Sequence, residues 1–362
     1  MTDLLVLNVG LDTLEVTFDG TVGDSHLLAL ERLKLLAQDT ETPQPYELGD
    51  VEFMVTAKGA SAWTYHLRSR DFDIFVSRSK NSFYPKVKVS LRAYGLATRY
   101  NPDLWAEVIA TLESLGELTE HGVTRADVKV DFQRWTPTVL EMSKNVACRA
   151  RKNPIYPNLD SPETFYFGLG GLRTLRVYNK TVEIGHSGKG WLFEILREVP
   201  GFDPDLDVWR IEFQIRRDAL RELGLRHSSQ VFGGVSALLD YGLREFAQLR
   251  VPTNDSKITR WPEDPRWTQL RTAVPPEAYL VRARHEANFM PLDGVLKRHL
   301  GLVAAAAAHF GTKGYMETLQ RLSFMTEAHM ITEKIDFDDM AETRRRRLAL
   351  TRVGPKLPSE PF

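Results

Sequence analysis

Between Thr124 and Phe132 the chain alternates strictly: Ala126, Val128, Val130 and Phe132 are apolar, while Arg125, Asp127, Lys129 and Asp131 between them are charged. A period of two belongs to a β-strand, whose successive side chains point to opposite faces. The segment therefore demands a sheet with one apolar face and one densely charged face. For a single strand the plainest reading is a half-buried strand with a solvated, self-neutralising face.

The same sorting recurs elsewhere. Leu175–Lys180 places Arg176, Tyr178 and Lys180 together, Trp209–Arg216 sets Arg210, Glu212, Gln214 and Arg216 against Trp209, Ile211, Phe213 and Ile215, and upstream Lys86, Lys88, Ser90 and Arg92 share a face. Further strands are expected at Leu14–Phe18, where Asp19-Gly20 gives a hairpin-type turn signal, and at Val51–Thr56, Phe72–Ser77 and Thr164–Phe167. Amphipathic spacing predicts helices at His26–Gln38 and at Pro102–Leu115 with Asn101 as N-cap. After Asp218 the pattern turns helical, Pro252–Pro265 is dense in turn formers, and the remainder is mostly helical. The expectation is an α+β fold: a curved, mainly antiparallel sheet with the helices around Ala29 and Trp105 on one face. An α+β domain is placed at 1–250 and a helical C-terminal domain at 251–362.

Composition excludes several classes. A single cysteine, Cys148, forbids an intrachain disulfide framework and a multi-thiolate zinc site. The start carries Asp3 and no basic n-region, and the longest apolar run, Leu300–Ala308, is too short to cross a bilayer, so a cytoplasmic protein without a membrane partner is expected. Lys and Arg number 47 against 48 Asp and Glu, so an affinity for polyanions must rest on where the charges sit. No Walker phosphate loop, Rossmann spacing, HExxH, His-x-His or GxSxG is present; Gly185-His186-Ser187-Gly188-Lys189-Gly190 only imitates a phosphate loop.

What remains is carboxylates, tyrosines and cations on one sheet face. If the strands are neighbours, that face gathers Asp127, Asp131 and Glu212, the composition that metal-assisted attack on a phosphodiester requires. Carboxylate oxygens suit Mg²⁺ or Mn²⁺, cations stabilise a transition-state charge, and a tyrosine becomes a nucleophile when its phenolate is stabilised. The covalent ester so formed conserves bond energy, consistent with a chain lacking an ATP-binding loop.

Three blocks in order resemble the Rep_trans family of replication initiation factors of rolling-circle plasmids and phages, with their kin among relaxases: Val123–Phe132; Thr164–Gly168 followed by Leu175-Arg176-Val177-Tyr178-Asn179-Lys180; and Trp209–Phe213. The resemblance implies site-specific nicking of one strand of origin DNA through a covalent 5′-phosphotyrosine that leaves a 3′-OH primer, with a divalent metal, a homodimer and a host helicase. Carried over, it makes Tyr178 the nucleophile, Asp127, Asp131 and Glu212 the metal or structural carboxylates, and Arg125, Lys180 and Arg210 the phosphate contacts. Lys86, Lys88, Arg92, Lys129, Arg176 and Arg216 are then expected to meet DNA. Glu183 is a weaker candidate, and the segment after Lys180 lacks the basic cluster the family often shows. A conjugative relaxase with the same chemistry, or a DNA-binding regulator with none, remains an alternative. Tyr166 rivals Tyr178 but is flanked by Phe165 and Phe167, which favours packing. His121, His186 and His227 read as turn or surface residues. Trp261 and Trp267 could stack bases or be buried. Arg344–Arg347, with Arg352 and Lys356, could contact a DNA backbone or form a solvated helix end.

Overall fold

The computed structural model describes residues 4–78, 84–150, 164–273, 292–338 and 341. Two units result, Met1–Ala283 and Arg284–Phe362.

In the first unit ten strands form one antiparallel sheet. In chain order they are β1 (Leu5–Val22), β2 (Gln44–Leu48), β3 (Val51–Val55), β4 (Tyr65–Arg68), β5 (Phe72–Val76), β6 (Val87–Leu91), β7 (Gly116–Gln133), β9 (Thr164–Phe167), β10 (Arg173–Asn179) and β11 (Trp209–Arg216). Their spatial order is β2-β3-β4-β5-β6-β1-β7-β11-β10-β9, while β8 (Val146–Cys148) and β12 (Ala247–Leu249) form a separate two-stranded ladder. The long strands β1 and β7 pair along their length with four register shifts. Such bulges bend a strand and raise its twist, which lets 18-residue strands wrap a core. The architecture is α+β, as the alternating patterns predict.

The apolar face is covered by α1 (Asp24–Asp39) and α3 (Asn101–Leu115). Leu30 of α1 and Leu104, Val108 and Leu112 of α3 join Val16, Phe18, Ala126, Val128, Val130 and Phe132 in a single buried cluster. Trp105 stacks on Phe18 with ring centroids 6.2 Å apart. Each large apolar side chain buried there contributes about 1.5–3 kcal/mol, so the period-two pattern anchors β7 to its register. Asn101 is the first residue of α3, and Tyr100 takes the N-cap position expected of it.

Two expectations are corrected. Asp19-Gly20 makes no hairpin: β1 runs through it, with Asp19 opposite Thr119 and Gly20 opposite Leu118. Gly20 has φ 128°, and a Cβ there would lie 2.0 Å from the Glu117 carbonyl oxygen, so the glycine serves a close strand approach rather than a turn. The unit boundary expected at 250 falls at 283, because α10 (Pro265–Thr272) folds back onto the first unit. Trp267 and Leu270 of α10 are fully buried in its core, and the Trp267 indole donates to the Leu243 carbonyl at 2.8 Å. Trp261 donates to the Asp255 carbonyl at 2.6 Å. Burial, not exposure to bases, is the state of Trp267.

The second unit contains two described helices, α11 (Leu292–Phe310) and α12 (Tyr315–Glu333), joined through Gly311 at φ 69°. His299 hydrogen-bonds Tyr315 at 3.0 Å across them. The Arg344–Arg347 run, Arg352 and Lys356 lie outside the described residues. Among the described residues no helix is long and apolar enough to cross a membrane.

Candidate active site on the polar face of the sheet

Strand pairing aligns the charged residues in rows that run across β1, β7, β11, β10 and β9. One row is Asn8, Asp131, Arg210, Tyr178, Thr164; the next is Gly10, Lys129, Glu212, Arg176, Tyr166; a third is Thr13, Asp127, Gln214, Thr174. Residues directly opposite have Cβ atoms about 5 Å apart, close enough for unlike charges to pair. The register therefore converts three sequence alternations into one network.

At its centre Arg210 holds Asp131 in a two-pronged contact, Nε to Oδ1 at 2.5 Å and Nη2 to Oδ2 at 2.9 Å, and its Nη1 donates to Asp12 Oδ1 at 2.5 Å. Lys129 Nζ donates to Asp131 Oδ2 at 2.9 Å. Arg125 Nε donates to Asp127 Oδ1 at 2.8 Å and also grips Oδ2 through Nη2. Arg176 bridges Asp127 Oδ2, at 3.2 Å, and Glu212 Oε1. The Tyr178 hydroxyl donates to Glu212 Oε2 at 2.8 Å. Asp127, Lys129, Asp131, Arg210 and Glu212 are no more than 3% exposed.

Burial and charge then act differently on each group. Burial is the largest influence on Asp131, but Arg210 and Lys129 outweigh it and hold the carboxyl well below its usual range. Asp12 is lowered in the same way, against burial, by Arg210 and Lys129. Glu212 goes the other way: burial, then the Asp12 charge, push it up to about 7. Tyr178 is raised well above the ordinary phenol value by burial, with Arg210 opposing and Glu212 reinforcing the shift. Lys180 is lowered by burial and by Arg210.

The local sequence explains why Tyr178 ends up at an opening. Asn179 is an N-cap whose side chain accepts from the Val182 amide at 3.1 Å, so β10 stops there and α5 (Lys180–Ser187) begins. Lys180 is thus the first residue of a helix and not the end of the strand; its Nζ lies 5.6 Å from the Tyr178 ring centroid and pairs with Glu183. Glu183 also accepts from Lys189 Nζ at 3.2 Å. Tyr178, Glu212, Arg176, Lys180, His186 and Lys189 line a cavity of about 440 Å³. Tyr166 shares that wall, whereas Phe165 and Phe167 point into the core.

The other predicted contacts are spread more widely. Lys129, expected to meet DNA, is buried against Asp131 of its own strand, and Arg210, expected to touch phosphate, is enclosed by Asp131 of β7 and Asp12 of β1; unlike charges consume both. Arg125 and Arg176 remain partly exposed, and Arg216 is exposed at the end of β11 opposite Arg125. Lys86, Lys88 and Arg92 belong to or flank β6, four strand steps from β10. Lys88 pairs with Glu15 at 3.4 Å, and Arg92 donates to the Ser69 carbonyl at 2.9 Å. Lys86 lines a separate cavity with Glu31, Tyr65 and Arg78. His121 pairs with Asp19 at 2.6 Å and His227 with Glu120 at 3.5 Å.

The residues expected to hold a divalent ion do not fit one as arranged. Asp131 is taken by Arg210 and Lys129, Asp127 by Arg125 and Arg176, and Glu212 by Arg176 and Tyr178. Among the described residues no three acidic, histidine or cysteine side chains are grouped to bind a metal. Mg²⁺ requires near-octahedral oxygen ligands at about 2.0–2.1 Å, and here guanidinium forks fill those positions. Two members of the site escape the strand alternation. Asp12 sits where the register of β1 skips a residue, and a bulge re-aims its side chain; its only trace in the sequence is an acidic break in an apolar stretch. Lys189 reaches the cavity from the turn after α5, which no periodic pattern marks.

No family model and no curated protein matches the chain. Among solved structures, the rolling circle replication initiator protein from Geobacillus stearothermophilus is similar over 77% of this chain and 99% of that one, with 18% identity and a TM-score of 0.46.

Proposed function

We propose that this chain is a replication initiator that nicks one strand of origin DNA through Tyr178. The observation that carries the reading is the Tyr178 hydroxyl donating at 2.8 Å to a buried carboxylate, Glu212, beside a cavity whose wall holds Arg176, Lys180 and Lys189 with Glu183 between the two lysines. A phenol needs a base, and a base titrating near neutrality is best matched to that task. Glu212, lifted to about 7 by burial, meets the requirement.

In this reading the scissile phosphate enters the cavity against the cations. The Tyr178 oxygen attacks phosphorus as its proton passes to Glu212 Oε2. The bond from phosphorus to the 3′ oxygen breaks, that oxygen takes a proton from solvent, and the 5′ phosphate stays on the tyrosine. Arg176, Lys180 and Lys189 offset the charge on the phosphoryl oxygens. Arg210, Asp131 and Asp12 tie β11, β7 and β1 together and are spent on one another. No step passes through a metal ion.

The test is incubation of purified protein with supercoiled DNA carrying the chain's own coding locus and flanks, in Mg²⁺, in Mn²⁺ and in EDTA, followed by denaturing electrophoresis. Open circles with a protein-DNA adduct are expected from the wild type, and neither from Tyr178→Phe. Adduct formation in EDTA assigns the charge stabilisation to arginine and lysine alone; activity only with metal requires Arg176 to release Glu212 and Asp127. Salt-sensitive binding without any adduct sinks the enzyme and leaves a DNA-binding regulator.

A further inference from the structure

A second cavity of about 440 Å³ opens on the same polar face, lined by Thr13 of β1, Ser90 of β6, and Arg70, Arg92, Tyr94, Lys189 and Trp191. Thr13 lies opposite Asp127, and Ser90 lies opposite Glu15, itself opposite Arg125, so both hydroxyl residues belong to the face that carries Tyr178. Lys189 lines both cavities. The chain from Lys180 through Lys189 to Trp191, the first residue of α6 (Trp191–Arg197), therefore runs from one to the other.

The second cavity is built differently from the first. Among the described residues, none that lines it is acidic. The Arg70 guanidinium lies on the Tyr94 ring, 3.8 Å from its centroid, and Trp191 meets the same ring edge-on at 5.1 Å and 81°. Arg70 is exposed and makes no ion pair among the described residues. Arg99, by contrast, spends its guanidinium on Asp71 and Glu107, at 2.9 and 2.8 Å. An arginine held over a phenol ring, with an indole beside it and two further cations, Arg92 and Lys189, each paired with a carboxylate that does not line the cavity, is a surface on which a nucleobase stacks while phosphates are neutralised. Duplex bases do not offer their faces in this way.

We infer that the Arg70–Tyr94–Trp191 cavity binds an unpaired nucleotide of the DNA strand whose phosphate lies at Tyr178, with Lys189 contacting the backbone between them. The inference rests on the nicking reading for which strand is held, but not for the binding itself. Stacking on Tyr94 and Trp191 holds the base, and Arg70 and Arg92 contact the adjoining phosphate. The site favours single strands over duplex.

The experiment is fluorescence anisotropy with a labelled oligothymidylate and with a duplex of random sequence, on the wild type, Arg70→Ala, Tyr94→Ala and Tyr94→Phe, each with its melting temperature measured. Tyr94→Ala is expected to weaken single-strand binding about 5- to 150-fold and leave duplex binding unchanged, with Tyr94→Phe restoring it. Arg70→Ala is expected to weaken binding and to lower the slope of log affinity against log salt by about 0.7 for each phosphate no longer neutralised. Independently of any variant, photocrosslinking of a 5-iododeoxyuridine oligonucleotide to wild-type protein should mark Tyr94 or Trp191. Unchanged single-strand affinity in folded Tyr94→Ala, or crosslinks confined to other segments, overturns the inference. If the wild type forms no tyrosine adduct yet Tyr94→Ala loses oligonucleotide binding, the nicking reading fails and this site stands; an adduct with unaltered Tyr94→Ala binding gives the reverse.

Discussion

Glu212→Gln keeps the volume at the centre of the site and an oxygen that accepts the Tyr178 hydroxyl, but removes the base. A phenol at its ordinary pKa near 10 is ionised in about one molecule in 300 at pH 7.5, and burial of Tyr178 raises that pKa further. Without Glu212 the reaction falls back on this fraction, so single-turnover nicking at pH 7.5 should drop about 10²- to 10⁴-fold, the usual worth of a positioned general base. The pH profile carries the sharper signature. In the wild type the rate rises and levels off above about 7, where Glu212 is ionised; in the variant no plateau appears, and the rate climbs about tenfold per pH unit with the phenolate. The assay is covalent adduct formation on a denaturing gel from pH 5.5 to 9, with Mn²⁺ titrated in parallel. A variant within tenfold of the wild type, with the wild-type profile, refutes the reasoning. Rescue by high Mn²⁺ would instead make Glu212 an ion ligand. Stability gives a cross-check of sign. Because the folded value, about 7, exceeds the unfolded 4.5, the native state binds more protons in that window and loses stability as pH rises through it. Glu212→Gln should remove that loss, at most about 3 kcal/mol at pH 8, read by denaturant melts.

Tyr178→Phe should bind origin DNA with wild-type affinity and form no adduct; any nick it makes removes Tyr178 from the mechanism. Arg210→Leu leaves the buried Asp131 beside the half-buried Asp12 with one cation fewer, and should cost about 3–5 kcal/mol in urea melts. Asp131, held below its unfolded value of 3.8, contributes stability that is present above that pH and lost as pH falls through its folded value. Asp131→Asn should therefore abolish a portion of the acid-unfolding slope. Trp267→Ala should cost about 3–5 kcal/mol and expose 251–273 to protease, since that segment belongs to the first unit.

The sequence by itself determined which residues share a face. Side-chain alternation in 124–132, 175–180 and 209–216 is a local property of extended backbone, so the α+β class, most strands of the sheet, and the company of Arg176 with Tyr178 or Arg210 with Glu212 were readable before any pairing was known. The order β7-β11-β10 was not, and it decides the partners of Arg210, Glu212 and Arg176. Pairing sets Asp131 against Arg210 and Glu212 between Lys129 and Arg176, so residues that look like phosphate and metal contacts in one dimension neutralise each other in three. Asp12 enters where β1 skips a residue beside β7, and the segment after α5 brings Lys189 and Trp191 to the cavity that Arg70 and Tyr94 line. Periodicity fixes direction along a strand and even sets Arg125 beside Asp127 and Lys129 beside Asp131; the partners of Arg210, Arg176 and Tyr178 come from residues distant in the chain, which no local pattern encodes.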